Sequence, residues 1–366
     1  MSDSKIRICF FPGRESSYVR SRVLAKGLTD AGAILFDCSY VNRSKIRYII
    51  GFWRFLKYKA KCDIIFIGFF GQFLVPLVRL FTRKPIVFDT FLSAYQTLAY
   101  DRKSIRPNGL MAWLVRRIER LSCQCADVCL VDTYEQIKYF LEEYGLPSAK
   151  FHRSFLSADD SIEVELFSTA PPKPIVHFHG EFQALHGAKV IIAAAQIVQE
   201  AHFRLVGGGR ELKEAVEYCN NLGLSNVEFI PFVPYNEIPN YIAKATVCLG
   251  IFGDTQKAQL VVPFKVYETL AMGQPILTAD TPAIRELLTH AVDAYLVPAA
   301  NPAALANGIR TLLANETLRK KIAENGLITF QNRCSPLIVG KEILSLCETL
   351  RSAAPRTGGC ESNVSR

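Results

Sequence analysis

Two α/β domains in succession, each a parallel sheet doubly wound by helices on both faces, are what this sequence predicts. Three observations carry that expectation. At 366 residues the chain is too long for one ordinary open domain and fits two of roughly 150–200 residues each. Short uninterrupted apolar runs alternate with helical patterns, as strands buried on both faces of a parallel sheet do. The alternation then restarts after a Pro-Pro-Lys-Pro segment at 171–174, which reads as a linker end.

In the first half the runs 6–11, 33–37, 63–69, 85–89 and 128–132 read as strands. Helical patterns fill 18–31, 46–59, 110–123 and 134–144. In the second half, strands 175–178, 203–206, 227–230, 247–251, 276–278 and 294–297 alternate with helices 188–200, 211–222, 237–243, 265–272, 282–289 and 302–314. The expected domains are 1–168 and 174–335, followed by a helix over 336–351 that returns to the N-terminal domain. Residues 352–366 are small, polar and without period, and read as a disordered tail. Open parallel sheets bind ligands beyond the carboxyl ends of their strands, so two such sheets facing each other make the cleft between them the site.

Composition narrows the class. Hydrophobic residues make up 49% and charged residues 21%, a globular balance with ample core material. The net charge of +9 is uneven: 25 Lys+Arg face 17 Asp+Glu up to Ala170, and 18 face 17 beyond it. An anionic partner is therefore expected on the first half. Residues 43–61 carry Arg43, Lys45, Arg47, Arg54, Lys57, Lys59 and Lys61 with no acidic residue, interleaved with Ile49, Phe52, Trp53 and Phe55. That is the pattern of a helix lying on an anionic membrane surface; the plain alternative is a surface helix packed on its sheet. Nucleic acid is not expected, since no RNA-binding signature or zinc finger accompanies the charge. The eleven cysteines are odd in number, and Met1-Ser-Asp-Ser-Lys runs straight into a strand without a leader pattern, so reduced thiols in a cytoplasmic protein are expected. The apolar stretch 64–78 is about fifteen residues against the roughly twenty of a spanning helix.

The most informative segment is Pro263-Phe264-Lys265-Val266-Tyr267-Glu268-Thr269-Leu270-Ala271-Met272-Gly273-Gln274-Pro275-Ile276. Lys265 and Glu268 stand three apart at a helix start and so share a face. Exposed amides and a lysine at a helix N-terminus suit a diphosphate, and a carboxylate one turn further suits a ribose diol. An ordinary Lys/Glu pair is the alternative. Gly207-Gly208-Gly209 between a strand and a helix lets backbone approach a ligand. Asp89 closes a buried strand and Asp101 follows in a loop. Either can orient an acceptor hydroxyl or take its proton, against a helix cap for Asp89 and a salt bridge for Asp101. His177 and His179 face one side of a strand but lack a third ligand, and read as core or cleft-lining rather than metal-binding.

The 263–276 pattern resembles the donor site of family-4 retaining glycosyltransferases. Leu205–Gly209, Val227–Pro234, Asp280–Glu286 and Val297-Pro298 agree in order, so the resemblance covers the C-terminal domain; Phe10–Arg14, Val87–Asp89 and Val131–Thr133 extend it more loosely into the first. It implies the GT-B fold, two Rossmann-like doubly wound parallel-sheet domains facing across a cleft. A nucleotide sugar would be held by Gly13, Gly207, Gly208, Gly209, Arg210, Phe232, Pro263, Phe264, Lys265 and Glu268. Asp89, Asp101 and Lys265 would be catalytic. The resemblance also implies transfer with retention to a glycan or lipid-linked acceptor, without metal or cofactor, as in cell-surface polysaccharide synthesis. Two departures stand out. Family members often carry two glutamates eight apart, and eight before Glu268 stands Leu260; Asp254 is the candidate to touch the donor sugar instead. His186 stands where a diphosphate lysine is usual and joins the donor-sugar candidates. An epimerase or phosphorylase on the same fold, or a non-catalytic nucleotide-sugar-binding descendant, are the alternatives.

Overall fold

The computed structural model describes residues 5–41, 44–160 and 173–353. Two six-stranded sheets, parallel throughout, form its halves. The first contains β1 (Arg7–Phe11), β2 (Ile34–Asp37), β3 (Ile64–Ile67), β4 (Ile86–Phe91), β5 (Val128–Val131) and β6 (Phe151–Arg153), in the order β2-β1-β3-β4-β5-β6. The second contains β7 (Ile175–His179), β8 (His202–Val206), β9 (Val227–Ile230), β10 (Val247–Leu249), β11 (Ile276–Ala279) and β12 (Tyr295–Val297), in the order β12-β11-β10-β7-β8-β9. In each sheet the strand order reverses once, between β1 and β3 and between β7 and β10. Such a reversal sends successive crossover helices to opposite faces and leaves a crevice at the strand ends.

Among the strands that pair on both sides, β3 and β5 are apolar on both faces. Ile64 to Ile67 and Val128 to Val131 are buried at every position, because helices cover both sides of a parallel sheet. On one face of the first sheet the 46–58, 74–79, 110–125 and 134–144 helices bring Phe55, Val75, Val78, Cys123 and Phe140 onto Cys9, Ile65, Phe88 and Cys129. On the other face Leu24 and Leu28 of the 19–30 helix meet Val339, Ile343 and Cys347 of a long helix, Pro336–Ala353. The C-terminal helix thus completes the N-terminal core. The crossing is close: a Cβ on Gly340 would lie 2.0 Å from the Gly27 carbonyl oxygen, and one on Gly27 2.1 Å from that of Pro336.

Several elements differ from expectation. Helix 282–289 contracts to Pro282–Arg285, and 188–200 ends at Ile197. The short edge strand β6 and the helix Glu316–Arg333 were not legible: β6 has three residues, and the apolar residues of 316–333 are spread round its circumference, so no stripe marks it. The expected linker lies largely outside the described residues, as does 354–366 of the expected tail; Ser352 and Ala353 close the last helix. Among the described residues no helix is long and apolar enough to cross a membrane.

Candidate functional site

The carboxyl ends of the two sheets face each other and enclose a cleft of about 880 Å³. Its C-terminal wall is built at the β7/β10 reversal. Gly207 and Gly209 line it with φ of +132° and +134°, a region open to glycine. A Cβ on Gly207 would meet the Gly180 carbonyl oxygen at 2.1 Å and one on Gly209 the Phe182 nitrogen at 2.6 Å, whereas Gly208 has open space before it. The triplet therefore presses one loop against another and leaves its middle backbone unit facing the cleft.

The helix Phe264–Ala271 points its first turn into this space, with Pro263, Phe264, Lys265 and Glu268 on the lining. Lys265 is 5% exposed, its Nζ has no hydrogen-bond partner among the described residues, and it lies 4.2 Å from the Phe178 ring centroid. Burial holds its pKa down to about 7, against the opposing pull of Glu268. A buried ammonium without a partner is suited to an anionic ligand. Glu268 takes a hydrogen bond from His179 Nε2 at 3.0 Å. His186, also on the lining, is buried beside Phe178, and burial followed by Lys265 keeps its imidazole well below its usual pKa and so neutral. Phe232 lines the mouth, 80% exposed.

Other expected residues lie elsewhere. Gly13 is not on the lining: its missing Cβ lets the β1 turn run against residues 69–71, where a side chain would meet three backbone atoms at 2.4 Å. Asp89 is 1% exposed and accepts from Arg20 Nε at 2.8 Å, with a second bond from Nη2; Arg20, not Asp89, lines the cleft. A carboxylate so paired does not face an acceptor. Asp101 ends a single π-helical turn, Thr97–Asp101, and forms a buried salt bridge with Lys257 of the opposite domain. Arg210 is exposed, and its guanidinium donates to the Arg102 carbonyl across the domains. Asp254 is exposed and off the lining. Leu260 packs with Leu185 and Ala258 against the N-terminal core, and its carbonyl accepts from Thr133 Oγ1, so an apolar side chain there serves the domain contact.

Sequence reasoning missed most of the N-terminal wall: Arg14, Tyr18, Phe69, Phe70, Phe91, Arg102. Phe70 and Phe91 follow or end adjacent strands with φ of 63° and 55°, sparsely populated for bulky residues and costing about 1–3 kcal/mol each. Arg14 lies 4.4 Å over the Tyr18 ring and Arg20 4.2 Å over that of Phe91. The sequence signal for Phe69, Phe70 and Phe91 is their place at or just past strand ends.

On the described 44–61 stretch, Ile46, Ile49 and Trp53 are exposed together with Lys45, Lys57 and Lys61. Arg47 turns back to Glu15 at 3.7 Å, Arg54 to the Ser39 carbonyl, and Lys59 to that of Phe81 at 2.9 Å. Arg43 lies outside the described residues. The basic face is accordingly narrower than its composition suggests.

Residues 163–328 match the family model described as glycosyl transferases group 1. An uncharacterized glycosyltransferase of Methanocaldococcus jannaschii is 24% identical over 156 residues, 41% of each chain. A phosphatidyl-myo-inositol mannosyltransferase of Mycobacterium leprae is 30% identical over 89 residues, 24% of each. The chain therefore spans less than half the length of these curated relatives. Among solved structures, Anabaena HepE in complex with UDP aligns over 94% of this chain and all of its own, with TM-score 0.70 and 14% identity. Sucrose-phosphate synthase from Thermosynechococcus elongatus aligns over 96% of this chain and 100% of its own, with TM-score 0.73 and 16% identity. The described residues thus have the GT-B fold, and residues 163–328 match the group 1 glycosyl transferases.

Proposed function

We propose that this protein is a retaining glycosyltransferase that moves a sugar from a nucleoside-diphosphate sugar to a hydroxyl of a glycan or lipid-linked acceptor. One observation carries the reading: an unpartnered buried lysine, a glycine-lined loop and a buried glutamate converge on one wall of an interdomain cleft. Lys265 would neutralise the diphosphate as the glycosidic bond breaks, Gly208 would offer backbone to it, and Glu268 would hold the ribose diol. Negative charge grows on the leaving diphosphate while the sugar gains oxocarbenium character, so a cation at the diphosphate acts chiefly in the transition state. Solved neighbours of this fold carry UDP and UDP-glucose, which supports a nucleotide-sugar donor. The acceptor would enter along the aromatic N-terminal wall. Cell-surface polysaccharide synthesis at the inner face of a membrane, reached through the exposed Ile46, Ile49 and Trp53 with their neighbouring lysines, fits this arrangement.

A second reading, nucleotide-sugar binding without transfer, draws on Leu260 and on the ion-paired state of Asp89 and Asp101. A thermal-shift screen against UDP-, GDP- and dTDP-sugars, followed by product analysis with the sugar that binds, tests both. A ligand at a hundred times its dissociation constant adds about 2.7 kcal/mol of stability. Binding with an α-linked product from an α-linked donor supports transfer with retention; binding with no turnover on any acceptor supports the second reading; no shift with any sugar overturns both.

A further inference from the structure

His177 and His179 sit at the end of β7, and alternation along a strand sends both side chains to one face. Their rings are nearly parallel, with centroids 5.1 Å apart and planes at 19°. His177 Nε2 lies 3.1 Å from His179 Nδ1, and His179 Nε2 lies 3.0 Å from Glu268 Oε2. His177 is fully buried, His179 6% and Glu268 8% exposed. His179 and Glu268 line the cleft; His177 lies behind them.

The protons in this row follow from its ends. His177 Nδ1 is buried without a hydrogen-bond partner among the described residues, and a stranded N–H there would cost more than a bare lone pair. Its proton therefore sits on Nε2 and is donated to His179 Nδ1. That leaves His179 Nε2 to donate to the carboxylate, which only accepts. Burial, then His179, Arg204 and Lys265, keep His177 neutral. Donation thus runs one way, from His177 through His179 to Glu268. The Tyr235 hydroxyl, also on the lining, reaches the same carboxylate.

We propose that His177 and His179 are positioning residues that hold Glu268 in the one orientation able to take a ribose diol, so that recognition of the ribose depends on a buried histidine that never meets the ligand. The inference rests on the reading of Glu268 as the ribose carboxylate. Without His177 the His179 Nδ1 would lose the donor that fixes which of its nitrogens bears the proton, and the buried bond that orients Oε2 would weaken.

The test measures dissociation constants by calorimetry for UDP and GDP and their 2′-deoxy counterparts, carrying forward the base that binds more tightly. His177→Phe keeps the ring and its stack on Tyr241, 6.2 Å between centroids, but loses the N–H. The variant is expected to bind the ribonucleotide about three- to tenfold more weakly, the size of one hydrogen bond, and the deoxynucleotide within about twofold of the parent. His177→Gln, which restores an N–H, should recover part of the loss, and His177→Phe should add nothing in a Glu268→Ala background. Equal losses on both nucleotides, or an additive double variant, would show a merely structural histidine and overturn the proposal. If Glu268→Ala itself binds UDP and GDP like the parent, the ribose reading falls and takes this inference with it. If that variant is weak while His177→Phe is unchanged, the relay alone is wrong.

Discussion

Lys265 carries its charge where charge is least favoured. Burial has drawn its pKa down to about 7, so in the empty cleft at neutral pH it is only partly protonated. An anionic diphosphate binds the protonated form and raises that pKa. Affinity for a nucleoside diphosphate should therefore be full below pH 7 and weaken above it, by about tenfold per unit while the bound lysine stays protonated. Titration calorimetry between pH 6 and 9 checks this, with Lys265→Arg, which stays charged, reporting the ligand's own ionisation; identical profiles for parent and variant would remove Lys265 from the site. Lys265→Ala should lower kcat more than it raises KM, because charge on the leaving group grows toward the transition state. Glu268→Ala should weaken nucleotide binding by roughly 1.5–3 kcal/mol, the scale of hydrogen bonds to a charged group, while the fold survives. Unaltered affinity would mean that Glu268 does no more than close its row with His179.

Among the elements, the C-terminal helix and the 46–58 helix behave differently from their neighbours. The first is held at a crossing where Gly27 and Gly340 bring two backbones together. Gly340→Val has backbone rather than a flexible side chain to displace, so the helix must lift; a loss of at least about 1–3 kcal/mol in denaturant unfolding is expected. A midpoint equal to the parent's would show that this crossing has slack. The 46–58 helix buries Gly51 and Phe55 and leaves Ile46, Ile49 and Trp53 in solvent. If it docks on a membrane, the protein should sediment with vesicles of anionic lipid and release as salt rises, each basic residue near the surface contributing about 1 kcal/mol. Replacing Lys45, Lys57 and Lys61 with Glu spares Arg54, which braces Ser39, and should abolish sedimentation while leaving nucleotide binding intact. Binding that persists on neutral and anionic vesicles alike would point to insertion through Trp53; binding to neither would return the helix to a solvated surface.

At the scale of the molecule, charged groups tie the two domains together around the cleft. Lys257 meets Asp101, Arg210 meets the Arg102 carbonyl, and Glu286 accepts from the Tyr134 and Glu135 amides at 2.9 and 3.1 Å, capping the 134–144 helix from the other domain. Lys257 and Asp101 are each 6% exposed, so removing one strands the other. Asp101→Ala should cost about 3–5 kcal/mol of thermal stability and widen the particle in small-angle scattering, whereas Asp101→Leu with Lys257→Met should recover most of both. A single variant as stable and compact as the parent would mean that the pair is not what holds the domains at this separation.

Sequence pattern was sufficient for much of this. Apolar runs such as 128–132 read as strands covered on both faces, and the restart of the pattern after 171–174 pointed to a second sheet; parallel sheets then confine ligands to the strand ends. Lys265 and Glu268 were legible because helical spacing is local, and both reach the cleft. Three-dimensional packing was needed wherever a partner came from far along the chain. Nothing near Asp89 or Asp101 in sequence announces Arg20 or Lys257, whose charges turn two candidate bases into ion pairs. Gly13 reads as a ligand-binding glycine until residues 69–71 are seen against it. The aromatic wall and the donation from His177 to Glu268 likewise depend on residues brought together only by the sheet, since hydrogen bonds and ring contacts act through space and a sequence is ordered only along the chain.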